Sequence, residues 1–262
     1  MESAGRGRIA ILMTIGLFAG FCAGLFGVGG GIVLLPLLVL VLGLEQRRAS
    51  GTTLAAMLPT SIAGTASYAA QGNVDWVAGL VLIIGAVSGS LIGTWLLHRL
   101  SQGVLRWFFI VFLIAVAIRM LFFVPVRGSD LEITPTIVIG LIALGLVTGI
   151  VSGLLGVGGG AIAIPGLLLI FGFGDLAAKG TSLFMMVPTV TTGTFANVLR
   201  GHVDLRVAAL TGVPAIVGTL AGVATATVIP PYWGSILFAA LLVYSAGQLV
   251  WQTAGWGRRF KG

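Results

Sequence analysis

Apolar residues run almost unbroken over 9–44, 51–70, 76–98, 104–126, 133–173, 180–199, 205–229 and 232–252, and the polar residues gather in the gaps. Each run is long enough to cross a hydrocarbon layer of roughly 30 Å as a helix. Two are too long. At ~1.5 Å rise per residue, the 36 residues of 9–44 would reach ~54 Å as a single helix. That run and 133–173 are each interrupted by Gly-Val-Gly-Gly-Gly, at Gly27–Gly31 and Gly156–Gly160, with Pro36 and Pro165 five residues on. Backbone so rich in glycine propagates a helix poorly. The pattern predicts an all-α polytopic membrane protein, in which a broken or re-entrant first segment precedes three transmembrane helices, twice over.

The second set copies the first. A shift of 129 residues brings Gly24-Leu-Phe-Gly-Val-Gly-Gly-Gly31 onto Gly153-Leu-Leu-Gly-Val-Gly-Gly-Gly160, and Gly51-Thr-Thr-Leu54 onto Gly180-Thr-Ser-Leu183. From Ala49 to Asp75 the shift gives 12 identities in 27 positions, including matched Pro, Thr, Gly and Asp that apolar bias does not produce. Internal repeats of this kind are characteristic of transporter folds. The expected units are 1–129 and 130–262, joined by the short polar stretch Arg127–Glu132 and packed as one body.

Charge bears on topology. If the two long runs turn back to the side they came from, Lys and Arg divide 11 to 2 between the sides of the membrane; a single crossing divides them 8 to 5. Basic residues collect on the cytoplasmic side, so the turned-back form is expected, with both termini cytoplasmic. Each half then makes an odd number of passes, and the second is inverted relative to the first. The loops agree: Gln71–Asp75 has no basic residue, whereas its copy Arg200–Asp204 is basic and precedes Arg206.

Composition narrows the function. Hydrophobic residues make up 58% and charged residues 8%, against about 25% charged in soluble domains, so the expected surroundings are a lipid bilayer. The net charge of +7 follows from basic cytoplasmic loops and implies no nucleic-acid partner. A lone cysteine, Cys22, can form no internal disulfide and has no neighbours to hold a metal; no metal or cofactor is expected. No nucleophile with a base stands in mid-membrane, so an enzyme is not expected either.

Irregular backbone at membrane depth survives only where it is buried in protein or lines a polar cavity. The two glycine segments are therefore the leading site candidates: Gly27, Gly29, Gly30 and Gly31 in the first, Gly156, Gly158, Gly159 and Gly160 in the second. Free N–H groups at a helix start suit an anion, although glycines can also serve only close helix packing. Thr52, Thr53, Thr181 and Ser182 read as the start of the next helix, either donating to an oxyanion or capping the helix. Thr60, Thr189 and Asn197 extend a polar path along those helices. Arg119 is the one basic residue well inside an apolar run, either attracting substrate or snorkelling. Asp75 and Asp204 each directly precede an apolar run and read as N-caps. All seven acidic residues fall at loops or helix ends, which disfavours cation transport and leaves no obvious proton carrier. Anion export down the membrane potential would then need no coupling ion.

These residues carry a resemblance. The doubled Gly-x-x-Gly-Val-Gly-Gly-Gly motif with its following proline, and the Gly-Thr-Ser/Thr-Leu start of the next helix, resemble the sulfite exporter TauE/SafE family of membrane permeases over nearly the whole chain. The resemblance implies a multi-pass permease of the cell membrane for small sulfur-containing anions such as sulfite or organosulfonates. By motif it carries over the two glycine breaks, Thr52-Thr53 and Thr181-Ser182. An anion channel, or a permease for another small organic anion, stays open, and oligomeric state is not read.

Overall fold

The computed structural model describes residues 2–96, 107, 110, 111, 114, 115, 117, 118 and 134–256. Among them lie nine helices: α1 (Glu2–Phe26), α2 (Gly31–Leu42), α3 (Gln46–Ala69), α4 (Trp76–Leu96), α5 (Pro135–Leu155), α6 (Gly160–Leu169), α7 (Asp175–Leu199), α8 (Leu205–Val228) and α9 (Pro231–Trp256). Most of the expected run 104–126, and the junction at 127–132, lie outside the described residues.

The helix ends follow from local chemistry. Thr134 Oγ1 accepts the Ile137 N–H and Pro135 occupies the first turn, so α5 starts where a capping hydroxyl meets a preset φ. α5 stops at Gly156, whose φ of 71° is left-handed. Asp75 Oδ1 accepts the Ala78 N–H at 2.9 Å and Asp204 Oδ1 the Val207 N–H at 3.1 Å, which makes both aspartates the expected caps, of α4 and α8. α3 and α7 begin at Gln46 and Asp175, about a turn before the expected starts at 51 and 180. Thr52, Thr53, Thr181 and Ser182 are thus in the second turn of their helices rather than at the start.

Among the described residues five helices are long and apolar enough to cross a membrane: α1 over Gly7–Phe26, α4, α5, α7 and α8. They are built inside out relative to a soluble protein. On α4 the buried face is mostly small, with Ala78, Gly79, Gly85, Ala86, Gly89, Ser90, Gly93 and Thr94 around a single large residue, Leu82, while Val77, Leu80, Ile84 and Leu91 point outward. Small residues inside and large aliphatics outside suit lipid, where helices associate by close packing. α3 is as long but carries Arg47, Arg48 and seven Ser or Thr residues. Thr52, Thr53, Thr60, Ser61 and Thr65 among these are buried.

The two halves interlock. α1 lies along α8, and its repeat counterpart α5 lies along α4. In both pairs the contact is backbone on backbone. A Cβ at Gly16, Gly20 or Gly24 of α1 would overlap the carbonyl oxygen of Thr211, Ala215 or Thr219 of α8. The same ladder, 129 residues later, sets Gly145, Gly149 and Gly153 against Leu82, Ala86 and Ser90. Only glycine lets carbonyls approach so closely, and the Cα–H···O contacts so formed are worth about 0.5–1 kcal/mol each. At the centre α3 packs on α7, and each also packs on the fourth helix of the other half, α3 on α8 and α7 on α4.

Candidate functional site

The glycine breaks fall where the sequence places them, and their backbone explains the residue type. Gly27, Gly29 and Gly30 have φ of 73°, 71° and 78°; Gly156, Gly158 and Gly159 have 71°, 83° and 80°. Left-handed backbone costs a residue with a side chain roughly 1–2 kcal/mol, so three such positions within four residues demand glycine there. The turn brings the chain back onto its own first helix. A Cβ at Gly30 would stand 2.6 Å from the Ala19 carbonyl oxygen, and one at Gly159 2.6 Å from Thr148 Cγ2, the matched position on α5.

The two breaks meet each other. A Cβ at Gly31 would lie 2.8 Å from the Val157 carbonyl oxygen, and one at Gly160 2.7 Å from Val28 Cα. The starts of α2 and α6 therefore abut. Met57 of α3 and Met186 of α7, again a matched pair, fill the gap: a Cβ at Gly29 or Gly158 would collide with the terminal methyls of both. Among the described residues the backbone N–H groups from Val28 to Ile32, and from Val157 to Ala161, have no hydrogen-bond acceptor. These are the orphan donors every helix start leaves, here buried beside their counterparts from the other half.

Thr60, Ser61 and Thr189 bond back to their own helices, and Thr65 Oγ1 and Thr194 Oγ1 have no partner among the described residues; the two adjacent hydroxyl pairs beside the breaks differ from each other. Thr52 Oγ1 accepts the Asp204 N–H and Thr181 Oγ1 the Asp75 N–H, both at 3.0 Å. They neither cap their own helix nor bond back to it; each pins the loop of the opposite half. Thr53 Oγ1 and Ser182 Oγ, one residue on, are fully buried and have no partner among the described residues. Their stripe is set by helical spacing. Ser50 and Met57 both touch the second break, at Gly156 and Gly158, and Thr53 lies between them at i+3. Lys179 touches Gly27 and Met186 touches Gly29, with Ser182 between them in the same way. Thr60 Oγ1 donates to the Met57 carbonyl at 2.8 Å and reaches the Gly29 carbonyl at 3.3 Å.

Asn197 is not brought to the breaks. It sits near the far end of α7, donates to the Gly193 carbonyl at 2.8 Å and packs against Gly51. Arg119 lies outside the described residues.

Sequence comparison places the chain among known proteins. It matches the family described as Sulfite exporter TauE/SafE over residues 2–120 and 141–261. The chain belongs to that family. Relatives of this TauE/SafE chain include "Probable membrane transporter protein YunE" of Bacillus subtilis (strain 168), 28% identical over 74% of this chain and 80% of the relative. "Probable membrane transporter protein MJ0441" of Methanocaldococcus jannaschii is 27% identical over 89% of this chain and 92% of the relative. The TauE/SafE chain is accordingly a multi-pass membrane protein of a transporter family.

Two features of this TauE/SafE fold escape the sequence reading. One is the glycine ladder, whose signal is the four-residue spacing 16, 20, 24 and its copy 145, 149, 153; hydropathy hides it because glycine and leucine both score as non-polar. The other is an ion pair. Asp175 does lie at a helix end, as its position suggests, yet it is 3% exposed and bonds Lys179 Nζ at 2.9 Å. Its signal is an acid and a base four residues apart at a helix start.

Proposed function

We propose that this chain carries a small sulfur-containing oxyanion, sulfite or an organosulfonate, by alternating access about the paired glycine breaks. What supports this above all is the matched pair of buried hydroxyls, Thr53 Oγ1 and Ser182 Oγ, unpartnered among the described residues and on the stripes that meet the breaks. A buried hydroxyl without a partner costs ~1–3 kcal/mol. Two of them, beside two helix starts with unpaired N–H groups, make a donor set suited to an oxyanion.

In this reading Gly29, Gly30 and Gly31, with Gly158, Gly159 and Gly160, present backbone donors, and Thr53 and Ser182 add hydroxyls. Gly27 and Gly156 turn the chain. Thr52, Thr181 and Asn197 hold the frame. Met57 and Met186 stand between the breaks, and their flexible thioether side chains swing aside to admit the anion. A channel on the same fold would need a continuous polar path at the point these two buried methionines occupy.

The protein sits in the cell membrane with both termini cytoplasmic, its units 1–129 and 130–262 inverted, and moves its anion outward, the direction the family's description gives. The orientation is tested with Gln71→Cys and Arg200→Cys in a Cys22→Ser background, both sites being exposed loop positions. A membrane-impermeant thiol reagent applied to whole cells should label the first and not the second; labelling of both alike would refute the inversion. Binding is tested by thermal melting of the purified protein with sulfite, thiosulfate, sulfoacetate, methanesulfonate, taurine and simple carboxylates. An anion at a hundred times its dissociation constant stabilises by about 2.7 kcal/mol. The absence of a shift with every anion, or equal shifts with cations, would overturn the anion site.

A further inference from the structure

The repeat is broken electrically inside the protein at the start of α7. Where α3 has Gln46 and Ser50, α7 has Asp175 and Lys179; where α7 has Asn197, α3 has Tyr68. Lys179 and Asp175 form an ion pair at 2.9 Å with side chains 6% and 5% exposed. The pair is wedged against the first break, since a Cβ at Gly27 would stand 2.7 Å from Lys179 Cβ. The start of α9 closes its other side, with Lys179 Nζ 3.7 Å from where a Cβ of Gly234 would be. One helical turn along α7 from Lys179 lies the unpartnered hydroxyl of Ser182. The other charged or titratable groups on this part of the helices that pack here are Tyr68 of α3, Asp75 before α4, the buried Cys22 of α1 and, at the start of α9, the exposed Tyr232. The Tyr68 hydroxyl donates to the Gly24 carbonyl at 2.8 Å, and the Asp75 carboxylate caps α4. Arg47 and Arg48 are at the opposite end of α3, where Arg48 meets Asp204. Among the described residues α5 and α6 bring no charge.

We infer that the Lys179–Asp175 pair is the charge-recognition element of the anion site and couples each anion to one proton. This rests on the anion-carrier reading above. At rest the pair is neutral. An anion that reaches Ser182 and the first break competes with the Asp175 carboxylate for the Lys179 ammonium. Were it simply to add, the buried site would hold one uncompensated negative charge, which a low-dielectric interior does not tolerate. Asp175 therefore takes a proton from water on the side of entry as it yields Lys179. The loaded site then holds lysinium, anion and a neutral carboxylic acid, and its net charge is again zero. On the far side the anion leaves, Asp175 releases the proton to water and re-forms the pair. One anion and one proton cross together, and no net charge moves. This supplies the proton carrier that sequence position alone does not reveal, and it removes the membrane potential as the driving force. The direction of flux is then set by the anion gradient and the pH gradient.

The test uses the full-length wild-type protein in liposomes loaded with a pH-sensitive dye, with methanesulfonate as probe because its conjugate acid is too strong to bring a proton of its own. On adding an inward methanesulfonate gradient at clamped potential, the interior should acidify by one proton per anion taken up. A 100 mV potential should leave final accumulation unchanged, where an unaccompanied monoanion would shift ~50-fold. Asp175→Asn should slow methanesulfonate uptake, abolish the acidification and make the remaining uptake respond to the potential. Because that variant strands a buried lysine, Asp175→Asn with Lys179→Gln, which removes both charges, is made alongside; it should lose uptake at concentrations that saturate the wild type. Wild-type uptake without acidification, or with a ~50-fold response to potential, would overturn the coupling and leave the carrier standing. Unchanged uptake by the double variant would overturn the recognition role. No wild-type uptake of methanesulfonate, sulfoacetate or sulfite would refute the carrier reading itself, and this inference with it.

Discussion

Removing a hydroxyl from the proposed site should make the protein more stable and less able to bind. Thr53 Oγ1 and Ser182 Oγ are buried without partners among the described residues, so each carries an unrecovered desolvation cost of ~1–3 kcal/mol. Thr53→Val keeps the shape of the side chain and Ser182→Ala leaves only a small gap, so most of that cost is returned as stability. For a chain of this size ~1 kcal/mol corresponds to about 2–4 °C in Tm. Each variant should thus melt a few degrees above the wild type without ligand. The same change takes away one hydrogen bond to a charged ligand, worth ~1.5–3 kcal/mol, which weakens anion binding by about 10- to 150-fold. Both quantities come from one series of melting curves in detergent, recorded with and without the stabilising anion. Variants that melt below the wild type and keep its full anion shift would show that the two hydroxyls are structural, and the reasoning from their lack of partners would fail.

Five further substitutions probe the frame. Gly156→Ala and Gly72→Ala impose the same left-handed strain, both at φ of 71°, but a Cβ at Gly156 meets Ser50 Cβ at 2.6 Å and Cα at 2.8 Å while one at Gly72 meets nothing within 4 Å. Gly72→Ala should cost ~1–2 kcal/mol and Gly156→Ala a further ~1–3 kcal/mol; equal losses in chemical denaturation would contradict the contact. Thr52→Val and Thr181→Val each strip the acceptor from a loop N–H of the opposite half. Each should lose ~1–2 kcal/mol, and a large difference between them in melting would argue against matched roles. Gly149→Val drives a side chain onto the Ala86 carbonyl, which as backbone cannot move aside. Loss of folded protein by size-exclusion chromatography is expected, and a normally folded variant would refute the ladder.

The fold was legible where chemistry repeats in one dimension. Over-long apolar runs and triple glycines locate the breaks, because left-handed backbone excludes other residues there. Asp75 and Asp204 declare themselves as caps by standing one residue before an apolar run. The site was legible only in part. Thr52 and Thr53 are neighbours in sequence with the same side chain, yet one bonds across to Asp204 and the other bonds nothing. That difference arises from which face of α3 meets the other half, and no local pattern contains it. Asp175 was concealed for a related reason, since a position at a helix end normally means water, and here the start of α9 and the first break close over it.

The glycine ladders have a bearing on which parts of the molecule can shift. Backbone seated on backbone leaves no side chains between α1 and α8, or between α4 and α5, that could re-pack to let them slide. Each pair behaves as one strut, and each strut takes one helix from either side of the junction at residue 129. The duplicated stretch of chain and the packed helix pairs therefore partition the molecule differently. Severing the chain at the junction should give two fragments that need each other to fold, since each holds only one member of both struts.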